Sequence, residues 1–231
     1  MLFRSRVLIF GANDPYDTYE MMEEIARKYK SETICFILQG KYGKYDKNLK
    51  HTSRHQILTI KKLANFADIG VHPSFASNKH PETLKEEKAR LENIIQIPIT
   101  KSRQHYLILS FPATYQRLIA QNITDDYSMG YAAEPGFRAG LSIPFPFYDL
   151  QQEKETELTL HPFTLMDRTL KDYLKFAPNE AIGLIEEIVK EVKEVGGQLI
   201  SVWHNESLNE KGEWKGWVDV YRHLQACASH Y

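Results

Sequence analysis

Three histidines stand where short apolar segments give way to polar ones. The apolar segment Ala67 to Val71 delivers His72 to the turn Pro73-Ser74-Phe75, His105 ends Ser102-Arg103-Gln104-His105, and His204 follows Leu199-Ile200-Ser201-Val202-Trp203. Imidazole ligates metals and exchanges protons near neutral pH. Folds of alternating strands and helices build their sites where the C-terminal ends of parallel strands converge. The three rings are therefore a candidate cluster for metal binding and proton transfer, each also open to the plainer role of a hydrogen-bonded, half-buried histidine. A catalytic zinc site takes about three protein ligands and keeps one position for water, whose pKa it lowers to about 7. His72 and His105 suit such a site, and the third ligand has to be a carboxylate or another histidine.

Candidates for that ligand are Asp14, Asp17, Asp125 and Asp126. Asp14 follows the first apolar segment, although Asn13-Asp14-Pro15 is also ordinary turn chemistry and Asp17 could cap the next helix. His204 precedes Asn205 and Glu206, which could orient its ring, and suits a proton donor to a leaving amine. Asp126, paired with Asp125, could act as a general base if an arginine neutralises its neighbour. Arg103 and Arg138 could grip a carboxylate, on a ligand or on a catalytic aspartate. Tyr127 and Tyr131 belong to a dense aromatic group that suits stacking on sugar rings or plain core packing.

The elements that must position these residues alternate along the chain. Apolar runs predict strands at Arg6 to Phe10, Thr33 to Leu38, Asp68 to Val71, His105 to Leu109, Asn122 to Tyr127, Leu158 to Leu165 and Leu199 to Trp203. Helical stripes predict helices over Tyr16 to Lys30, around Ile57 to Ala64, after Pro81, from Pro112 to Ala120, from an Asn179 cap to Gly196, and from Gly216 to Cys227. Gly40 to His51 is polar and reads as a surface loop, and Gly136 to Pro146 as an irregular or edge segment. This alternation predicts a largely parallel sheet, open or closed into a barrel. No linker divides the chain, so residues 1–231 are expected to form one domain.

The composition excludes several classes. The 231 residues carry a formal net charge of −1, so no global field favours nucleic acid or an anionic membrane. No apolar run has the length of a membrane span, and the N-terminal apolar patch is too short for an export signal, so a cytoplasmic location is expected. Cys35 and Cys227 form no metal-binding Cys-x-x-Cys pair, and Cys35 reads as a core thiol.

His72-Pro73-Ser74-Phe75, Ser102-Arg103-Gln104-His105, Asp126-Tyr127-Ser128-Met129-Gly130-Tyr131, Gly136-Phe137-Arg138-Ala139-Gly140, Pro144-Phe145 and Trp203-His204-Asn205-Glu206, in this order, resemble the polysaccharide deacetylase superfamily, the NodB-homology group. The resemblance runs from about Asp14 to Tyr221. It implies an α/β fold, a distorted (β/α) barrel of about seven parallel strands, holding a divalent metal such as zinc and hydrolysing N-acetyl groups of a glycan. Carried over, His72 matches the first metal histidine, His204 the late proton donor, and Arg103 the arginine that steadies a catalytic base, with Asp126 as the candidate base. The usual second metal histidine falls at Ala76, so His105 is its substitute. Arg138, Tyr127, Tyr131 and Trp203 make up the candidate substrate-binding set. The family's first acidic motif is not recognisable, which implies an N-terminally shortened barrel, Asp14 as the replacement ligand, or a site that is not catalytic. A carbohydrate-binding or scaffold barrel without a complete metal site is the alternative function.

Overall fold

A computed structural model of the chain describes residues 14–229. The strand expected at Arg6 to Phe10 lies outside the described residues. Helix α1 (Tyr19–Tyr29) turns Ile25 and Ala26 inward and leads into β1 (Ile34–Ile37). Next come α2 (Arg54–Leu63), β2 (Asp68–Val71), α3 (Pro81–Ile95) and β3 (Lys101–Ser102). After α4 (Ala113–Ile119) and β4 (Asp125–Asp126), β5 (Phe145–Asp149) and β6 (Lys154–Leu160) form a hairpin. The chain ends with β7 (Leu165–Met166), α5 (Pro178–Glu194), β8 (Ser201–Val202) and α6 (Trp217–Ala228).

Six strands form one sheet in the order β1-β2-β3-β4-β6-β5, and β7 pairs with β8 in a second. All pairings are parallel except β5 with β6. Among the described residues the two sheets are not joined by strand pairing, so the fold is mixed α/β with a mostly parallel central sheet, and the expected closed barrel is not formed by these ladders. One reason is local. The expected strand Leu158 to Leu165 is interrupted at His161-Pro162, because Pro162 brings no N–H to a ladder. The chain leaves the large sheet there and starts β7 in the small one.

The expected strand from His105 to Leu109 also differs. The sheet segment is Lys101–Ser102, and His105–Leu107 is a tight helical turn with Tyr106 and Leu107 at positive φ, 57° and 53°. The extra turn lifts His105 off the sheet. Helix α5 starts one residue before the expected Asn179 cap, with Pro178 at its first position, where a missing N–H costs nothing. The main core lies between the large sheet and its helices around Ile60, Leu91, Tyr115, Leu118 and Leu158, and includes Cys35 as expected. A second core joins α5 to α6 through Ile185, Val189, Val220 and Leu224.

Gly130 marks a close approach between the two sheets. A Cβ there would overlap the ring of Phe163, which is fully buried and cannot swing aside. Gly130→Ala should destabilise the fold by about 1–3 kcal/mol, the usual cost of overpacking. A drop in urea midpoint with unchanged slope is the expected reading, and an unshifted midpoint would contradict the contact.

Candidate functional site

Strand register builds the site. Ile37 pairs with Val71, Val71 with Ser102, Ser102 with Asp126, and Asp126 with Leu160. The next residue on four of these strands extends the ladder by one bond: His72 N–H to the Ile37 carbonyl, Arg103 N–H to Val71, Tyr127 N–H to Ser102 and His161 N–H to Asp126. His72, Arg103 and Tyr127 are thus neighbours at the C-terminal edge of the sheet. In the small sheet Met166 pairs with Val202, and this places Asp167 and Trp203 just beyond it, with His204 following.

His72 Nδ1 lies 2.5 Å from the Arg103 carbonyl oxygen, which fixes the proton on Nδ1 and leaves a lone pair on Nε2. The His105 ring sits 4.9 Å from it, centroid to centroid. His105 Nδ1 bonds Asp46 Oδ1 at 2.9 Å, and the same oxygen accepts the Phe75 N–H at 2.9 Å. Two imidazoles with Nδ1 tied to oxygen acceptors and Nε2 left over have the outer-shell pattern of metal-ligating histidines. Burial, reinforced by the charges of Arg103 and His105, holds His72 well below the usual histidine range. It is therefore neutral and has a lone pair at neutral pH.

His204 Nδ1 lies 2.8 Å from Asp167 Oδ1, and its backbone N–H donates to Asp167 Oδ2 at 2.8 Å. Asp167 is fully buried and also accepts the Arg168 N–H at 2.7 Å. Burial is the largest single influence and would raise its pKa, but the hydrogen bonds and charge of His204 together with a bond to Ser207 outweigh it and hold the carboxyl below its ordinary value. A carboxylate can only accept here, so Nδ1 of His204 carries the proton and Nε2 is presented to the half-exposed side. The two halves of the site meet at Arg103. Burial lowers its pKa to about 10, and the charges that oppose this are Asp167, Cys35 and Asp126 in that order. His204 in turn contributes to the field at His72. Gly70 makes room for this arrangement, since the Phe36 ring lies across it and stacks 4.6 Å from the Arg103 guanidinium.

Asp126 is also fully buried. It accepts from Ser102 Oγ at 2.7 Å, Ser128 Oγ at 2.9 Å and Ser128 N–H at 3.0 Å. Burial still pushes it up to about 6 against these donors. With three bonds and no exposed surface, its geometry is that of a group tying β3 to β4 beneath Arg103, rather than of a base in contact with water.

The remaining candidates are dispersed. Asp14 is exposed, accepts the Tyr16 N–H at 3.0 Å, and lines a cleft with Thr18, Leu208 and Lys211, a local turn as the Asn-Asp-Pro pattern allowed. Tyr127 is buried, stacked on His161 with centroids 4.3 Å apart and tilted against Phe36. Trp203 packs on Tyr221 at 5.0 Å, with a buried, unpartnered Nε1. Arg138 is half-buried and lies within electrostatic reach of the Tyr115 hydroxyl, and Tyr131 is exposed. Among the described residues no carboxylate joins His72 and His105 in a three-donor group within 4.8 Å.

Two residues of the cluster were not singled out from sequence. Asp167 directly follows the apolar Leu165-Met166, and the strand-end rule that selected the histidines would have selected it too. Asp46 lies in the segment read as a surface loop, yet is 5 % exposed. No local signal marks it, because its partner is 59 residues away.

No family model matches the chain, and no curated protein matches it in sequence. Among solved structures the fold is similar to that of a Mycobacterium smegmatis protein described as a candidate polysaccharide deacetylase. The two share 14% identity with a TM-score of 0.67, over 93% of this chain and 72% of the other. At that identity the likeness is one of fold alone: the two proteins share a mixed α/β architecture.

Proposed function

We propose that this chain is a metal-dependent hydrolase that removes N-acetyl groups from a glycan. The observation that carries the reading is the buried Asp167 carboxylate fixing His204 at the edge of one sheet, with Arg103 linking it to the His72–His105 pair at the edge of the other. A divalent metal, with zinc suited to imidazole donors, would be held by His72 and His105 and would supply a water of lowered pKa. The rest is the work of the chain. Asp167 keeps a proton on His204 Nδ1 and aims the Nε2 lone pair outward, so Nε2 takes up a proton from the attacking water and, as an imidazolium steadied by Asp167, passes that proton to the departing sugar nitrogen. Arg103, held between Asp126 and Asp167, keeps a positive charge where an acyl oxygen gains negative charge.

Acetate release from an N-acetylglucosamine oligosaccharide tests this. His204→Ala should cut the rate by about 10²- to 10⁴-fold, the range of a positioned proton donor, and His72→Ala should abolish activity together with metal binding at the His72–His105 pair. A second reading has an observation of its own: the described residues give the histidine pair no third donor. Under it the chain is a non-catalytic carbohydrate-binding or scaffold protein, and sugar binding without bound metal or acetate release would favour it over hydrolysis.

A further inference from the structure

The end of α6 and the middle of α5 bring three donors together, far along the chain from the histidine cluster. His223 Nε2 lies 2.9 Å from Glu186 Oε1 and 3.3 Å from Cys227 Sγ. All three donor atoms lie within 4.8 Å of one another. His223 and Cys227 are four residues apart on α6, so they share one helix face, and Glu186 reaches them from α5. The side chains of His223 and Glu186 are 32 % and 56 % exposed, so an ion has access from solvent.

The hydrogen bonding among these groups is over-subscribed. Nε2 carries either one proton or one lone pair, while the Glu186 carboxylate needs a donor and the Cys227 thiol needs an acceptor. One ring nitrogen therefore cannot serve both fully. A cation at the point where the three converge satisfies all of them. The spacing is close to that of a metal site. Tetrahedral zinc with Zn–N near 2.0–2.1 Å, Zn–O near 2.0–2.2 Å and Zn–S near 2.3 Å sets donor atoms roughly 3.4–3.6 Å apart. The His223–Cys227 separation of 3.3 Å is already close to this, the His223–Glu186 separation of 2.9 Å has to open by about half an ångström, and Glu186 and Cys227 lie within 4.8 Å of each other; none of the three side chains is fully buried, so each can adjust.

We propose that Glu186, His223 and Cys227 form a second metal site, one carboxylate, one imidazole and one thiolate, for a borderline-soft divalent cation of the zinc class, with its fourth position open to solvent. The mixed donor set selects zinc, cobalt or cadmium over calcium and magnesium, which prefer all-oxygen shells. Binding releases the thiol proton, since the thiolate is the ligand. Without an ion, burial and the Glu186 carboxylate hold the Cys227 thiol above its ordinary range against the opposing charge of Lys193, so the cation itself has to displace the thiol proton. The ion would clamp α5 to α6 and rigidify the second core.

Cobalt(II) titration of the whole chain carrying His72→Ala and His105→Ala isolates this site from the one proposed for hydrolysis. We expect one cobalt per chain with a near-ultraviolet thiolate-to-cobalt absorption band. Cys227→Ser should abolish the band, and Glu186→Gln or His223→Ala should each weaken cobalt binding at least tenfold. Circular dichroism of each variant confirms that the fold is intact. A band that survives Cys227→Ser would assign the thiolate to the buried Cys35, and absence of any band at one cobalt per chain would equally overturn the proposal. Either outcome leaves the hydrolase reading untouched, because acetate release depends on neither Cys227 nor Glu186.

Discussion

Asp167→Asn should slow the proposed acetate release by about 10²- to 10⁴-fold while leaving the fold in place, the scale expected when a proton-transfer group loses its alignment. Asp167 offers Oδ1 to the His204 ring and Oδ2 to the His204 backbone N–H. An asparagine retains the volume but has only one accepting atom. If its oxygen stays on the backbone N–H, its NH₂ faces Nδ1 and selects the other tautomer, with the proton on Nε2 and the ring unable to cycle protons as before. If the amide flips, its NH₂ meets the backbone donor. Either way the imidazole is held in the wrong state or not held. Because Asp167 acts through His204, kcat should fall with little change in KM, and the NMR shifts of the His204 ring nitrogens should report the altered tautomer. A variant with wild-type kcat and an unchanged ring signature would remove Asp167 from the mechanism, and with it the main support for His204 as proton donor.

Asp126→Asn should change how stability depends on pH, in a direction the structure fixes. The folded carboxyl binds its proton at about 6 against an ordinary 3.8, chiefly because of burial. The native state therefore holds more protons than the unfolded state between these values, and this group's contribution to stability is full below about pH 4 and is lost as pH rises through about 6. At 1.36 kcal/mol per pH unit the loss amounts to roughly 3 kcal/mol. Asparagine does not ionise, so relative to wild type the variant should gain about that much stability between pH 4 and pH 7.5. Urea unfolding of both proteins at the two pH values measures the difference. Parallel pH profiles would show that the Ser102 and Ser128 donors fully offset burial at Asp126, and a difference of the opposite sign would show that they outweigh it.

Both predictions concern residues on which sequence and structure divide differently. Asp126 is recognisable from sequence because it ends a short strand beside Asp125, yet the role first suggested for it changes once its burial and its three donors are seen. Asp167 has the same strand-end position, and only its contact with a histidine 37 residues later reveals it as part of the site.

The sequence by itself determines what is local. Apolar runs and helical stripes are set by side-chain periodicity within ten or fifteen residues, so α1, α2, α3, α4, α5, α6, β1 and β2 are all legible, as are the three histidines at segment ends. Tertiary structure decides what depends on distant pairing. The row His72, Arg103, Tyr127 arises from strand register, and strand register is a property of several segments at once. The burial of Asp46 depends on His105 and the Phe75 backbone, and the separation of the strands into two sheets on a proline that cannot join a ladder. Hydrogen bonds and electrostatic fields act through space, and where they link residues far apart in the chain no local pattern records them.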